Sequence, residues 1–135
     1  MNKPTSFTRS IVVRTQFEGL HRWAEAPESV AFLRAYHRHI FSIKVKIAVA
    51  HADRAIEFFT VLQKVRAALN DFRMSSHCSI VPGSNFLVRF DLSCEALAAY
   101  LGDSLLDRDL PVVSVEVSED GENSGLVEYD YTRLP

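Results

Sequence analysis

Alternation over residues 37–49, with most apolar side chains at every second position, constrains the fold of this chain more than any other feature. Successive side chains of a β-strand point to opposite faces of the sheet, so an alternating run predicts a strand with one buried side. One side of this strand carries His37, His39, Phe41, Ile43, Val45, Ile47 and Val49, and the other carries Arg38, Ser42, Lys44 and Lys46. The segment therefore predicts a long strand whose buried face begins with two histidines.

Other segments repeat this period. Residues 11–17 alternate, and continuing their parity through Gly19 places His21 on the buried side. Residues 112–119 alternate with Val113, Val115, Val117 and Glu119 on one face. Shorter strands are predicted at 86–91 and 126–131, the second after a turn at DGENSG.

Two segments have helical periodicity, at 54–72 and at 94–106. Ser93 is the predicted N-cap of the second helix, with Glu95 in its first turn, where a helix dipole favours a carboxylate. Residues 22–36 are predicted as a loop with one helical turn at 28–34, and 73–85 as a loop. The order of elements predicts an α+β fold with an antiparallel sheet and helices on one face.

Composition limits the function classes. A chain of 135 residues predicts one domain over 11–135 after a frayed tail at 1–10. With 15 basic and 17 acidic residues there is no electrostatic case for binding nucleic acid or an anionic membrane. No apolar run approaches the roughly 20 residues that span a bilayer. No secretion signal is visible, so Cys78 and Cys94 are predicted to be reduced thiols of a cytoplasmic protein.

Polar side chains on the apolar strand faces point to a metal. His21, His37 and His39 share the buried side, and three neutral imidazoles suit zinc, which then keeps one position for water or substrate. The alternative is that these histidines are solvated or bonded to backbone, since two histidines two apart are a weak motif. Glu119, on the buried side of the strand at 112–119, has a similar alternative as a solvated strand-end carboxylate. His51 and His77 stand in predicted loops and are interpreted as surface residues.

Five short motifs, in order, resemble a known family. FEGLH (17–21), HRHIF (37–41), AIEF (55–58), SCEALA (93–98) and VEVSED (115–120) are similar to motifs of 6-pyruvoyl-tetrahydropterin synthase and 6-carboxy-tetrahydropterin synthase. The resemblance covers roughly residues 11–131. It implies the tunnelling fold, a four-stranded antiparallel sheet with two helices on one side, assembled as trimers or hexamers whose sheets join into a barrel.

The resemblance also assigns roles. It implies that His21, His37 and His39 bind zinc and that Glu119 anchors the pterin ring, because a carboxylate can accept the two adjacent donors of that ring. Ser93 and Glu95 would line the ring pocket. Glu57 would occupy the acidic position before the first helix and support structure.

The chain departs from the family at the proton-transfer groups. Leu33 stands about where the family has a catalytic cysteine, Arg38 replaces the glycine between the two histidines, and Cys94 replaces a threonine. Cys94, at a helix N-terminus, is one candidate base with a lowered pKa. The other interpretation, that it is a small buried residue, is favoured. Asp71 with His77 is a second candidate.

The predicted function is therefore a zinc-dependent lyase acting on dihydroneopterin triphosphate or a related reduced pterin. The alternative is a binding module that keeps the metal or the ring pocket without turnover, which the missing cysteine favours. A different reaction on a guanine-like purine also stays open, since Glu119 would anchor guanine as readily as pterin.

Overall fold

The computed structural model describes residues 3–4, 8–85 and 87–131. The strands are β1 Ser10–His21, β2 His37–Ala48, β3 Cys78–Ile80, β4 Val88–Phe90, β5 Val112–Glu119 and β6 Ser124–Glu128. The α-helices are α1 Phe58–Met74 and α2 Cys94–Asp107, and a 3₁₀ segment spans Glu28–Arg34. The predicted α+β class is confirmed.

The sheet is larger and less uniform than predicted. Its strand order is β3-β4-β1-β2-β5-β6, so it has six strands where four were expected. The β1–β4 pair is parallel, while the other neighbouring strands are antiparallel. A parallel pair needs a long crossover connection, and β2, α1 and β3 lie between β1 and β4 in the chain.

The long β1–β2 ladder is the spine of the fold. Its register runs from Ser10 opposite Ala48 to His21 opposite His37. The buried face of this ladder packs against apolar residues of both helices, so helices and sheet share one core. The core members of the ladder and of β5 are Val13, Phe17, Phe41, Ile43, Val45, Ile47, Val112, Val115 and Val117, and the helices contribute Val61, Val65, Ala68, Leu69, Phe72, Leu97, Ala98, Leu101 and Leu105.

Several boundaries differ from the predictions for local reasons. Helix α1 begins at Phe58 rather than 54, because the Glu57 carboxylate accepts hydrogen bonds from the backbone N–H groups of Phe59 and Thr60. A register shift between Lys46 and Ile47 places Val112, not Val113, in the core. Strand β6 begins inside the predicted turn.

The loop predictions were partly wrong. The helical turn at 28–34 is confirmed as the 3₁₀ segment Glu28–Arg34. The loop at 73–85 contains β3, which pairs with β4.

Within the described ranges no helix is long and apolar enough to cross a membrane. The predicted tail falls partly outside the described residues, and its last residue, Ser10, already belongs to β1.

Candidate metal and ligand site

The end of the β1–β2 ladder brings three predicted metal ligands together. His21 and His37 are register partners, and their ring centroids are 5.8 Å apart. His37 and His39, two residues apart on β2, have centroids 4.6 Å apart. The alternation of β2 and the pairing with β1 are sufficient to cause this, because all three side chains leave the same face of the sheet.

His21 is buried, with 9% of its surface exposed, and one of its ring nitrogens has no hydrogen-bond partner. Its Nε2 lies 2.6 Å from the carbonyl oxygen of Leu92. A carbonyl only accepts, so Nε2 carries the hydrogen and Nδ1 of the neutral ring is a bare lone pair. Burial lowers the pKa of His21 and so favours this neutral form.

The other two rings are anchored in the same way. Nδ1 of His37 donates to the carbonyl of Ala35 at 2.9 Å, which leaves its Nε2 as the acceptor. Nδ1 of His39 lies 2.6 Å from Oδ2 of Asp120, and this hydrogen bond lowers the pKa of the Asp120 carboxyl. A carbonyl or carboxylate that holds one ring nitrogen while the other stays free is the usual support of a metal-binding histidine.

Glu119 lies against this cluster at the end of β5. One carboxylate oxygen is 3.4 Å from Nδ1 of His21, and the other is 3.8 Å from Nε2 of His39. The bare nitrogen of His21 therefore faces an oxygen with no hydrogen between them. Two lone pairs at this distance repel each other, and a cation among them would turn the repulsion into attraction.

The residues fit a zinc ion in donor chemistry and in anchoring, but they do not form a closed coordination shell. Across the described ranges, no group of three or more His, Cys, Asp or Glu side chains is arranged to hold a metal ion as it stands. The orphaned Nδ1 of His21, with the anchored partners His37 and His39, is the observation that makes the cluster suitable for zinc.

A cavity of about 380 Å³ opens beside the histidines and collects most of the predicted site residues. Five residues singled out from the sequence line it: His21, His37, Ser93, Glu95 and Glu119. Leu33, which stands about where the family has its cysteine, also lines it. One wall is therefore apolar, and the rest carries carboxylates and a hydroxyl.

Two further lining residues, Trp23 and Asp91, were missed by the sequence analysis. Trp23 is 48% exposed, and its backbone is fixed because its N–H donates to the carbonyl of Leu33 at 2.7 Å. Signals for both existed. Trp23 follows His21 by two positions, and Asp91 ends the predicted strand at 86–91.

The first turn of α2 is held in place by a cap and by a glycine contact. The Ser93 hydroxyl accepts from the backbone N–H of Ala96 at 3.1 Å, as predicted for an N-cap. Gly125 of β6 lies so close to this turn that an added Cβ would meet the backbone nitrogen of Glu95 at 2.2 Å. The β5–β6 hairpin therefore fixes Glu119 and Glu95 relative to each other.

The candidate role of Cys94 as a base with a lowered pKa does not agree with the surroundings of its thiol. Burial, followed by the charges of Glu119 and Glu95, raises the pKa of this thiol to about 12. The helix N-terminus does not offset these effects, because the cysteine is half-buried between two carboxylates. The favoured interpretation of Cys94 as a small packing residue agrees with its place beside the core.

Asp71 and His77 do not line the cavity. Asp71 accepts a hydrogen bond from the guanidinium of Arg108 at 2.6 Å. His77 is exposed, as predicted for a surface residue, and its ring packs edge-on against Tyr100 with centroids 5.6 Å apart. Asp71 lies in the last turn of α1 and His77 in the turn that follows the helix, so the two side chains meet different partners.

Comparison with known proteins finds likeness in structure only. No family model matches the sequence, and no curated protein matches it. An uncharacterized protein from Wolinella succinogenes aligns over 93% of this chain and 100% of its own, with a TM-score of 0.66 and 15% identity.

Solved 6-pyruvoyl tetrahydropterin synthases are also similar. The Caenorhabditis elegans protein aligns over 91% of this chain and 96% of its own, with a TM-score of 0.60 and 12% identity. A catalytic-residue mutant of the Plasmodium vivax enzyme, in which a glutamate is replaced by alanine, aligns over 93% and 99%, with a TM-score of 0.63 and 15% identity. The chain therefore has the fold of these synthases, which confirms the resemblance at the level of fold.

Proposed function

We propose that this protein is a zinc-dependent enzyme of the pterin-synthase type, acting on dihydroneopterin triphosphate or a related reduced pterin. One observation carries the proposal. Three imidazoles with anchored ring nitrogens form one cluster, and two of them, His21 and His37, line a cavity that also has three carboxylates and an apolar wall. This combination suits a flat, nitrogen-rich ring held beside a cation.

The chain's own residues would bind and orient the ring. Glu119 and Glu95 supply acceptors for adjacent ring donors such as an amino group and a ring N–H. Trp23 and Leu33 supply apolar surface against the ring faces. The hydroxyl of Ser93 already accepts one backbone hydrogen bond and keeps its own hydrogen to donate.

The metal would be held by His21, His37 and His39. A zinc ion there would act as a Lewis acid that polarises a substrate oxygen. His21 stays neutral because burial lowers its pKa, and neutral imidazole is the form that binds metal.

Proton transfer falls to carboxylates in this proposal. Cys94 is unsuited, since its pKa of about 12 keeps it protonated. The remaining cavity groups that can take a proton are Asp91, Glu95 and Glu119, together with the two imidazoles. The Plasmodium vivax enzyme has a glutamate among its own catalytic residues, so a carboxylate serves in catalysis within this fold.

The second candidate is a protein that binds a pterin or a guanine-like purine without turnover. It is favoured by Leu33, an apolar residue where the family carries its cysteine, and by the high pKa of Cys94. In either case we propose a trimer or hexamer, because β3 and β6 are the outer strands of the sheet among the described residues and pairing between copies would cover their edges. We also propose a cytoplasmic location, with which the free thiols of both cysteines agree.

Ligand binding can be measured through the single tryptophan of the chain. Because Trp23 lines the cavity, adding a reduced pterin should change its fluorescence. Glu119→Gln should weaken binding by about tenfold or more, since a charged acceptor is lost. Glu116→Gln, on the same strand but outside this cavity, should bind as wild type does. Equal binding by both variants would contradict the ring-anchor role.

Turnover separates the two candidate functions. The zinc-loaded protein is incubated with dihydroneopterin triphosphate, and release of triphosphate is measured. Release that is lost in His37→Ala and kept in His51→Ala supports the enzyme. Ring binding with no product under any condition supports the binding protein, and absence of both binding and product overturns the proposal.

A further inference from the structure

A second cavity, of about 370 Å³, lies next to the first and shares Asp91 with it. Its other lining residues include Tyr36, Ser76, His77, Ser79 and Arg89. Except for Asp91, these side chains can all donate hydrogen bonds. The second cavity therefore has the opposite character from the carboxylate-lined first one.

Two guanidinium groups flank the aromatic ring at this cavity. The Arg22 guanidinium carbon is 4.4 Å from the centroid of the Tyr36 ring, and that of Arg89 is 5.5 Å from it. Cation–π contact with one tyrosine holds both cations at the same place. This concentrates positive charge against a surface that is partly removed from water.

The one carboxylate at the cavity is already engaged. The same oxygen of Asp91 accepts from the Tyr36 hydroxyl at 2.9 Å and from Nε of Arg22 at 3.1 Å. Asp91 thus neutralises Arg22 and leaves Arg89 without an acidic partner. Among the described residues, the only hydrogen bond of the Arg89 side chain is from its Nε to the Ser79 hydroxyl at 3.1 Å.

Five of the ten arginines in the described ranges have a carboxylate oxygen within 4 Å: Arg22, Arg34, Arg38, Arg54 and Arg108. Arg14 and Arg66, which have no such contact among the described residues, are exposed to solvent. Arg73 is half-buried like Arg89 and also has no such contact within the described ranges, but it does not line this cavity. Arg89 is half-buried, and its two terminal nitrogens have no acceptor within the described ranges. These nitrogens are not among the buried atoms that lack a partner, so they face the cavity and can donate to an acceptor that enters it.

We infer that this second cavity binds an oxyanion, the phosphate or carboxylate group of a small molecule. The terminal nitrogens of Arg89 form a fork that matches two oxygens of such a group. The hydroxyls of Ser76 and Ser79 and the imidazole of His77 supply further donors along the same wall. Asp91 separates this anion site from the carboxylates of the first cavity. The inference does not depend on ring binding or on zinc.

The test is an NMR titration of the full chain with inorganic phosphate and, separately, with succinate. Saturable shifts of the His77 and Ser79 amides support the site, and the tighter of the two anions identifies its class. Arg89→Gln should weaken binding by about tenfold or more, whereas Arg66→Gln removes the same charge elsewhere and should bind as wild type does. Arg89→Lys, which keeps the charge without the fork, should bind between the two.

The inference is overturned if Arg89→Gln and Arg66→Gln bind equally, or if the shifts are spread over the surface and do not saturate. If Arg89→Gln does not fold, Arg89→Lys and Ser79→Ala decide the question. Wild-type affinity in both would equally overturn the anion site. A failure of zinc or pterin binding leaves these results unaffected, so the two proposals fail separately.

Discussion

A glutamate from another element lies near each end of the β1–β2 ladder, and the two glutamates have opposite surroundings. Near the start of β1, the Glu57 carboxylate accepts three hydrogen bonds, from the N–H groups of Phe59 and Thr60 and from the Thr60 hydroxyl, at 2.7 to 3.0 Å. At the far end, Glu119 lies beside a bare imidazole nitrogen of His21 that has no hydrogen-bond partner. A carboxylate whose bonds are complete supports structure. A carboxylate that faces another acceptor costs stability unless something binds there.

The ladder between the two ends should dominate stability. Phe41 is 1% exposed and stacks on Phe17 with centroids 5.2 Å apart. Phe41→Ala should lower the free energy of unfolding by about 3–5 kcal/mol, since it leaves a cavity in the core. Urea unfolding measures this. Phe32→Ala, at a position 75% exposed, should change stability by less than about 0.5 kcal/mol. Similar losses in both would mean that the core is misassigned.

The next largest effect on stability is expected at the contact between the β5–β6 hairpin and the first turn of α2. Gly125→Ala forces a Cβ against the backbone of Glu95, and backbone cannot yield as a flexible side chain would. We expect a loss of roughly 1–3 kcal/mol of unfolding free energy, together with weaker pterin binding. Leu126→Ala, on the same strand and 51% exposed, is the matched control. Wild-type stability of Gly125→Ala would show that β6 does not approach α2 this closely.

The two glutamates themselves give the sharpest contrast. In the metal-free protein, Glu119→Gln should raise the free energy of unfolding by about 1 kcal/mol, because its amide can donate to the bare nitrogen of His21. Glu57→Gln should lower it, because the charged cap is lost. Thermal unfolding of both variants measures the difference. A loss of stability in both would remove the distinction between a structural and a functional glutamate.

The smallest expected effect is the pH dependence of the cap. Hydrogen bonds from the N–H groups of Phe59 and Thr60 lower the pKa of Glu57 from 4.5. The stability that this carboxylate contributes is complete above its unfolded pKa and is lost as the pH falls through the lower folded value. The gap in stability between wild type and Glu57→Gln should therefore shrink on acidification below about pH 4.5. A gap that widens would contradict the cap.

The residues of the site that could be predicted from the sequence are those placed by the two-residue period of a β-strand. The alternation of β1 and β2 places His21, His37 and His39 on one face, and the register then brings them together. Glu119 follows from the same count along β5. The helix starts at Glu57 and Ser93 are local signals too, although only the second was recognised as a cap.

The rest depended on pairings that no local pattern contains. Strand β4 joins β1 in parallel, and this contact brings Asp91 to both cavities. The backbone of Trp23 is held by a hydrogen bond from its N–H to the carbonyl of Leu33, in the 3₁₀ segment. This bond closes an irregular loop, so no helix or strand period predicts it. The pKa of Cys94 could not be read from its helix position, because burial and two carboxylates from other elements outweigh the helix N-terminus.

Metal analysis of the purified protein tests the central claim most directly. If the ladder end is a metal site, wild type should contain one zinc ion per chain, His37→Ala should contain none, and His51→Ala should keep the full amount. His51 is exposed and lies outside the cluster, so it controls for zinc held by any surface histidine. Wild-type protein that stays free of zinc after loading, or zinc that persists in His37→Ala, would contradict the account.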